Sequence, residues 1–353
     1  MNAAEIKAWT LQRDIEASVA LAQAAWEPLR GARLFITGGT GFIGCWLLET
    51  LRHANLSLGL GIEATILTRD PERFAAKLPR LGRHPDFTFI AGDVKNFAFP
   101  AGGFTHLVHA ATDASADLNE TNPRQMFDTV LTGTRRALDF AVEKNVSRVL
   151  NLSSGAVYGR QPRDLVNVPE SWPAAPDCTD PVNSYGEGKR AAEMLCAIYG
   201  KQFGLPVSTA RIFALLGPYL SLDIHFAAGN FIRDAMEGRP VVVKGDGLAH
   251  RSYLYAGDLT AQLWLMLAKA PGGRAYNIGS DETISIGALA ERIAGLLGRE
   301  GFRILGRPDA GWNPGRYVPD TQLASQDLGL YKTVTLDDAI MRTAIWHGWK
   351  PWH

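Results

Sequence analysis

The segment LFITGGTGFIGCWLLETL, Leu34 to Leu51, sets four glycines, Gly38, Gly39, Gly41 and Gly44, within seven positions between two apolar runs. Glycine inside regular structure costs roughly 0.5–1 kcal/mol relative to alanine, so the cluster needs a reason. A strand, a tight turn and a helix N-terminus supply one. In the spacing G-x-x-G-x-x-G, Gly38 permits the sharp turn, Gly41 lets a diphosphate approach the backbone, and Gly44 lets helix and strand pack closely. The unpaired N–H groups of the first helical turn then face the phosphates. Thr40, Phe42 and Ile43 fill out the same loop and are expected beside the cofactor. A glycine-rich turn without ligand is the competing reading; the placement after a first strand and before a helix argues against it.

Outward from this segment, short apolar runs alternate with helical patterns. Strands are expected over 33–37, 64–68, 87–91, 106–110, 147–152 and 207–212, with helices over 42–53, 124–144 and 184–203. This alternation predicts an α/β fold, a Rossmann-type doubly wound parallel sheet. After Gly217-Pro218 the rhythm loosens. Strands over 241–243 and 275–278 and helices over 228–237, 258–268, 286–297 and 336–347 predict a smaller mixed α/β lobe. The expected division is a helical extension at 1–30, a dinucleotide-binding domain at 31–215 that also carries the reactive residues, and a mainly substrate-binding lobe at 216–353. The helical pattern over 3–29 is expected outside the main fold. Trp46 and Trp264 fall in apolar helical patterns and are expected in the core.

Composition narrows the function. The 353 residues contain 36 Lys plus Arg and 36 Asp plus Glu, with no long run of one sign. A nucleic-acid or membrane-surface partner wants a basic patch, and neither partner is expected. No stretch approaches the length of a membrane span. Cys45, Cys178 and Cys196 lack metal spacing and read as reduced thiols of a cytoplasmic protein, with no metal site expected.

Two places bear on the adenosine end of a dinucleotide. The end of the second strand, ATILTRDPERF, offers Thr68, Arg69 and Asp70. A carboxylate there accepts from a ribose, whereas an arginine suits a 2′-phosphate. Arg69 is expected to pack its guanidinium over the adenine, with Asp70 or backbone groups meeting the ribose; the alternative is a solvated Arg-Asp pair before a helix. Asp93, in AGDV with Val94, either meets the adenine amino group or is a turn aspartate.

The reactive constellation follows. NLSSGAVYG, Asn151 to Gly159, ends the fifth strand with two serines, and NSYGEGKRAAE brings Tyr185 and Lys189. On a helix, i and i+4 share a face. An ammonium beside a phenol favours phenolate and lowers its pKa, giving a general base suited to neutral pH. Glu187 points to another face. Asp113 reads as a turn aspartate near the cofactor, and His225 and His250 either face the substrate or are inert surface.

TGGTGFIG, GDV, HAAT, SSGAVYG, SYGEGKRAAE, GDGLAHRSYLYAGDL, YNIGSDETISI and RYVPDT together resemble the extended short-chain dehydrogenase/reductases, in the NAD-dependent epimerase/dehydratase branch acting on nucleotide sugars. The resemblance runs from about Arg33 to Gly329. It implies that Tyr185 takes the sugar 4-hydroxyl proton, that Lys189 holds the nicotinamide ribose and tunes Tyr185, and that Ser154 orients the hydroxyl. Ala110, Ala111 and Thr112 would line the cofactor. Asn230 and Arg251 would hold the nucleotide diphosphate, with Ser154 and Gly155 at the sugar. The helical stretch MFDTVLTGTRRALDFA would sit at a homodimer seam, or is an ordinary core helix.

Departures from the family pattern narrow the reaction. Dehydratases of this family usually carry Asp-Glu directly after the active hydroxyl residue, and decarboxylases usually keep the glutamate; this chain has Gly155 and Ala156. Neither moves a proton. Ala214 stands where an asparagine usually reaches the substrate diphosphate. The expectation is an NAD-dependent nucleotide-sugar 4-epimerase. A dehydratase, decarboxylase or 4-keto reductase on a similar substrate is the enzymatic alternative, and a cofactor-binding scaffold or sensor the non-enzymatic one. NAD is expected over NADP, because one cation at a strand end is too little to desolvate a 2′-phosphate.

Overall fold

The computed structural model describes residue 5 and residues 8–112, 116–223, 227–298, 301–308 and 315–350. Seven strands form the central sheet: β1 (Arg33–Thr37), β2 (Glu63–Thr68), β3 (Phe87–Ala91), β4 (His106–His109), β5 (Arg148–Ser154), β6 (Val207–Ile212) and β11 (Ala275–Ile278). Their order is β3-β2-β1-β4-β5-β6-β11, and every neighbouring pair is parallel. This is the expected doubly wound sheet. Helices cover both faces, so strands such as RLFIT in β1 are buried along nearly their whole length rather than alternately. Strand order reverses between β1 and β4, and a crevice opens there at the carboxyl ends of the strands.

The elements end where local chemistry ends them. The helix Phe42–Leu58 runs past the expected 53 and stops at Gly59, whose φ of 59° suits glycine. β5 extends two residues beyond the expected 152, so Ser154 is its last residue.

The smaller lobe is built from two- and three-stranded pieces. β7 (Leu215–Leu216) pairs with β10 (Leu254–Tyr255), β8 (Val241–Val243) pairs with β13 (Phe302–Ile304), and β9 (His250–Arg251) lies between β12 (Ile284–Ser285) and β14 (Arg316–Tyr317). Helices Ala227–Met236, Ile286–Leu296 and Leu336–Trp346 share a core that includes Ile232, Leu289, Ile293 and Ile340.

The expected boundary at 215/216 does not divide the molecule. β11 completes the main sheet beside β6, and the Ala256–Lys269 helix contributes Leu259, Leu263 and Trp264 to the core beneath it. The N-terminal segment is not outside the fold either. It forms two helices, Leu11–Leu21 and Gln23–Leu29. Ile15, Trp26 and Leu29 are buried, and the Trp26 and Trp264 rings lie 5.5 Å apart. Asp14 is buried and binds Trp9 Nε1 at 2.8 Å, Arg342 at 2.7 Å and the Tyr255 hydroxyl. An amphipathic pattern reveals that a helix has an apolar face, but not what that face meets; here it meets the sheet-covering helices.

Candidate active site

The glycine loop sits at the sheet's switch point. Gly38 has φ of 74°, and a Cβ there would lie 2.6 Å from the Ala110 carbonyl carbon, so the ends of β1 and β4 approach as only glycine allows. A Cβ on Gly44 would run into the Gly39 backbone, which fits the expected close packing. Gly41 differs: the nearest atom to a Cβ there is Gly38 O at 3.5 Å, so nothing within the chain demands glycine. Gly41 also opens the Phe42–Leu58 helix, which has no side-chain cap and no acidic residue in its first turn. Free N–H groups and positive dipole therefore face the crevice, as an anion requires.

The far wall is the end of β4. Ala111 N–H donates to Thr37 Oγ1 at 3.2 Å, and Thr37 Oγ1 meets His109 Nδ1 at 2.8 Å. His109 Nε2 meets Thr134 Oγ1 at 3.0 Å, and Thr134 gives its own proton to the Val130 carbonyl. His109 therefore donates from Nε2 and accepts at Nδ1. Burial pushes its pKa down to about 3, so the ring is neutral. Thr112 Oγ1 is buried with no hydrogen-bond partner among the described residues, a hydroxyl still in need of a partner. An unpartnered hydroxyl next to Ala111, whose backbone lies against Gly38, fits a bound dinucleotide.

At the adenosine end, Thr68 Oγ1 lies 3.3 Å from Thr40 Oγ1. The Asp70 carboxylate, expected at the ribose, caps the Pro71–Lys77 helix by accepting Arg73 N–H at 2.9 Å. Arg69 is exposed beside it. Asp93 accepts Lys95 N–H at 2.9 Å, the geometry of a turn aspartate. Val94 wedges against the Pro123–Glu143 helix at Gly133, where a Cβ would come within 2.9 Å.

The reactive groups converge at the end of β5. Ser154 is buried, its Oγ accepts Ala156 N–H at 3.2 Å, and its hydroxyl is near enough to the Tyr185 phenol to act on that group's pKa. Tyr185 and Lys189 lie on the Ser184–Phe203 helix. Lys189 Nζ donates to the Leu152 carbonyl at 2.8 Å and stands 5.9 Å from the Tyr185 ring centre. The expected lowering of the phenol does not hold in this state: burial raises the Tyr185 pKa, with the nearby Ser154 hydroxyl opposing. Lys189 is itself pushed down to about 8 by burial, with the Glu193 carboxylate pulling the other way. Glu193 is fixed by Arg211 at 2.7 Å and Ser153 Oγ at 2.6 Å.

The slot at Gly155, next to Ser154, is closed. A Cβ on Gly155 would lie 2.5 Å from Phe213 Cζ. Phe213 in turn packs on Tyr317, ring centres 4.6 Å apart. The Tyr317 hydroxyl reaches Ser154 Oγ at 3.2 Å. Sequence reasoning missed Tyr317, because only its place in RYVPDT singled it out and no local spacing ties it to Ser154. β14 pairs with β9 so that Tyr317 lies opposite Arg251, which brings Arg251 to this group. Asn230 is half-buried on the Ala227–Met236 helix and makes no hydrogen bond among the described residues. His250 is half-buried on β9. Glu187 pairs with Arg190 at 3.8 Å. Trp46 and Trp264 are core, as expected. Asp113 and His225 lie outside the described residues. Among those residues no helix is long and apolar enough to cross a membrane, and no cluster has the makings of a metal site.

Comparison with known proteins agrees with this geometry. The NAD dependent epimerase/dehydratase family matches residues 34–279. UDP-glucuronic acid decarboxylase 1 of Xenopus tropicalis is 30% identical over 317 residues, 88% of this chain and 71% of that protein. The dTDP-glucose 4,6-dehydratase of Streptomyces niveus is 26% identical over 321 residues, 89% of this chain and 92% of that protein. The UDP-glucose 4-epimerase of Thermus thermophilus, solved with NAD, has a TM-score of 0.74 at 25% identity, covering 90% of this chain and 99% of that one.

Proposed function

The chain belongs to the NAD dependent epimerase/dehydratase family of nucleotide-sugar enzymes, and from that membership we propose that it is a nucleotide-sugar 4-epimerase working through a transient 4-keto sugar. One observation carries the choice of reaction. Elimination of water needs one group to take a C5 proton and another to protonate the leaving hydroxide. Beside Ser154 this chain has Ala156 and a Gly155 whose side-chain space is filled by Phe213. Inverting C4 needs neither group; one proton acceptor and donor at O4 suffices.

Gly38, Gly41, Gly44 and Thr112 would hold NAD, with Lys189 near its ribose, and the bound cofactor would supply an oxidised nicotinamide as the hydride acceptor and donor for C4. The protein's own part is the proton. Tyr185 takes it from the 4-hydroxyl and gives it back after the sugar has turned. Ser154 hydrogen-bonds the same oxygen and keeps it in line with the phenol. The Lys189 ammonium, anchored on the Leu152 carbonyl, favours the phenolate once substrate has displaced water. Arg251, opposite Tyr317, and Asn230 are the candidate diphosphate contacts. A homodimer is part of the proposal. Exposed Met194 and Ile198 form an apolar face on the Ser184–Phe203 helix, suited to a second copy, and light scattering of the purified protein reads it.

The reaction is tested by incubating the protein with UDP- and dTDP-hexoses and catalytic NAD⁺, followed by proton NMR. Inversion at C4 without net NADH supports it. Loss of water or carbon dioxide overturns it, as does stoichiometric use of NADH on a 4-keto sugar.

A further inference from the structure

The helix that carries Tyr185 lacks a cap of its own. The first four N–H groups of a helix have no partner within it, and Asn183, at the N-cap of Ser184–Phe203, makes no side-chain capping bond. The partner comes from elsewhere in the chain. Asn119, on the Ala116–Thr121 helix, accepts Tyr185 N–H at 3.1 Å and the Ser184 hydroxyl at 2.8 Å, both on Oδ1. Its Nδ2 donates to the Val182 carbonyl at 2.6 Å. A backbone N–H only donates and a carbonyl only accepts, so these partners fix which way the amide faces. One side chain thus holds both sides of the chain's entry into the catalytic helix. It does so from the segment that continues from Ala110–Thr112.

We propose that Asn119 is a positioning residue for the proton-transferring phenol: it docks the first turn of the Tyr185 helix onto the segment that lines the cofactor crevice, and so sets where the Tyr185 hydroxyl stands. Tyr185 is the second residue of its helix, and its backbone N–H has no acceptor within that helix. Among the described residues its side chain makes no hydrogen bond to the Ser154, Tyr185 or Lys189 side chains. Its effect is therefore on placement, where small displacements carry large rate penalties. The inference rests on the reading of Tyr185 as the group that moves the proton.

Asn119→Ala and Asn119→Asp in the full chain test it. The aspartate keeps the oxygen that accepts from Tyr185 and Ser184, and its charge suits a helix N-terminus. Hydrogen exchange of the ligand-free proteins needs no substrate. In Asn119→Ala, exchange should speed up about tenfold in the first turn after Ser184, the size expected when a helix loses its capping acceptor, and stay unchanged in β5. With UDP-glucose and NAD⁺, kcat of Asn119→Ala should fall about tenfold, a displacement-sized effect, with KM within about twofold, and Asn119→Asp should recover most of the loss. Unchanged exchange in the alanine variant overturns the proposal. So does unchanged kcat, or a loss that the aspartate does not restore. If the parent protein leaves UDP-glucose untouched, that result counts against the proposed reaction, and the exchange measurement alone decides the role of Asn119.

Discussion

The hydroxyls of Ser154 and Tyr317 lie 3.2 Å apart although 163 positions separate them in the chain. Tyr317 is not free to drift. Gln161 Oε1 accepts the next backbone N–H, that of Val318, at 3.0 Å, and Phe213 packs on the ring. The phenol oxygen also comes within 3.4 Å of the Ile212 carbonyl. Burial keeps it protonated. Ser154 therefore has a fixed, neutral hydrogen-bond partner in Tyr317.

Tyr317→Phe should lower kcat about three- to tenfold, the worth of roughly one neutral hydrogen bond, and leave NAD⁺ affinity unchanged. Steady-state kinetics with a titration of NAD⁺ reads both. A variant as active as the parent would show that Ser154 does not need this partner.

Tyr185→Phe should bind NAD⁺ like the parent and lose turnover by about 10²–10⁴-fold, the range for a missing general base. Near-parental turnover would remove Tyr185 from the proton transfer.

The fold was legible because its signals are local. The glycine spacing after β1, the βα alternation and the i, i+4 pairing of Tyr185 with Lys189 each need only a few neighbouring residues. Tyr317 and the buried Asp14 were not legible, because each acquires its role from a residue far away along the chain. The tuning of Tyr185 was misread for a related reason. Spacing shows that an ammonium is near, but not how strongly burial disfavours charge at both sites, and burial is the larger influence on both groups. Asp70 shows a third limit: that a carboxylate at this strand end also caps the following helix depends on how that helix starts.

The pH dependence follows from Lys189. Burial brings its pKa from the usual lysine range down to about 8. The charged form is present below that value and is lost as pH rises through it, and with it goes the charge that favours the Tyr185 phenolate. kcat/KM, which reports the free enzyme, should fall on the alkaline side from about pH 8. A profile that stays level to pH 10 would contradict the placement of Lys189.

Asp14 makes the N-terminal helices part of the core. Asp14→Ala leaves the Tyr255 hydroxyl and Arg342 without their shared partner. The cost should be about 2–4 kcal/mol, as for a broken buried pair. Urea unfolding measures it. A change below about 0.5 kcal/mol, typical of a surface substitution, would mean that the N-terminal segment is not held there.

The 4-epimerase assignment is tested most directly by the fate of the hydrogen at C4. A nucleotide hexose that the protein turns over, UDP-[4-²H]glucose first, is incubated with catalytic NAD⁺, and the label is located in the product by NMR and mass spectrometry. With Tyr185 and Ser154 to move the proton at O4 and no acid at 155 or 156, the deuterium should return to C4 of an inverted sugar of unchanged mass. Deuterium at C6 of a product that has lost water would contradict the assignment and identify a dehydratase.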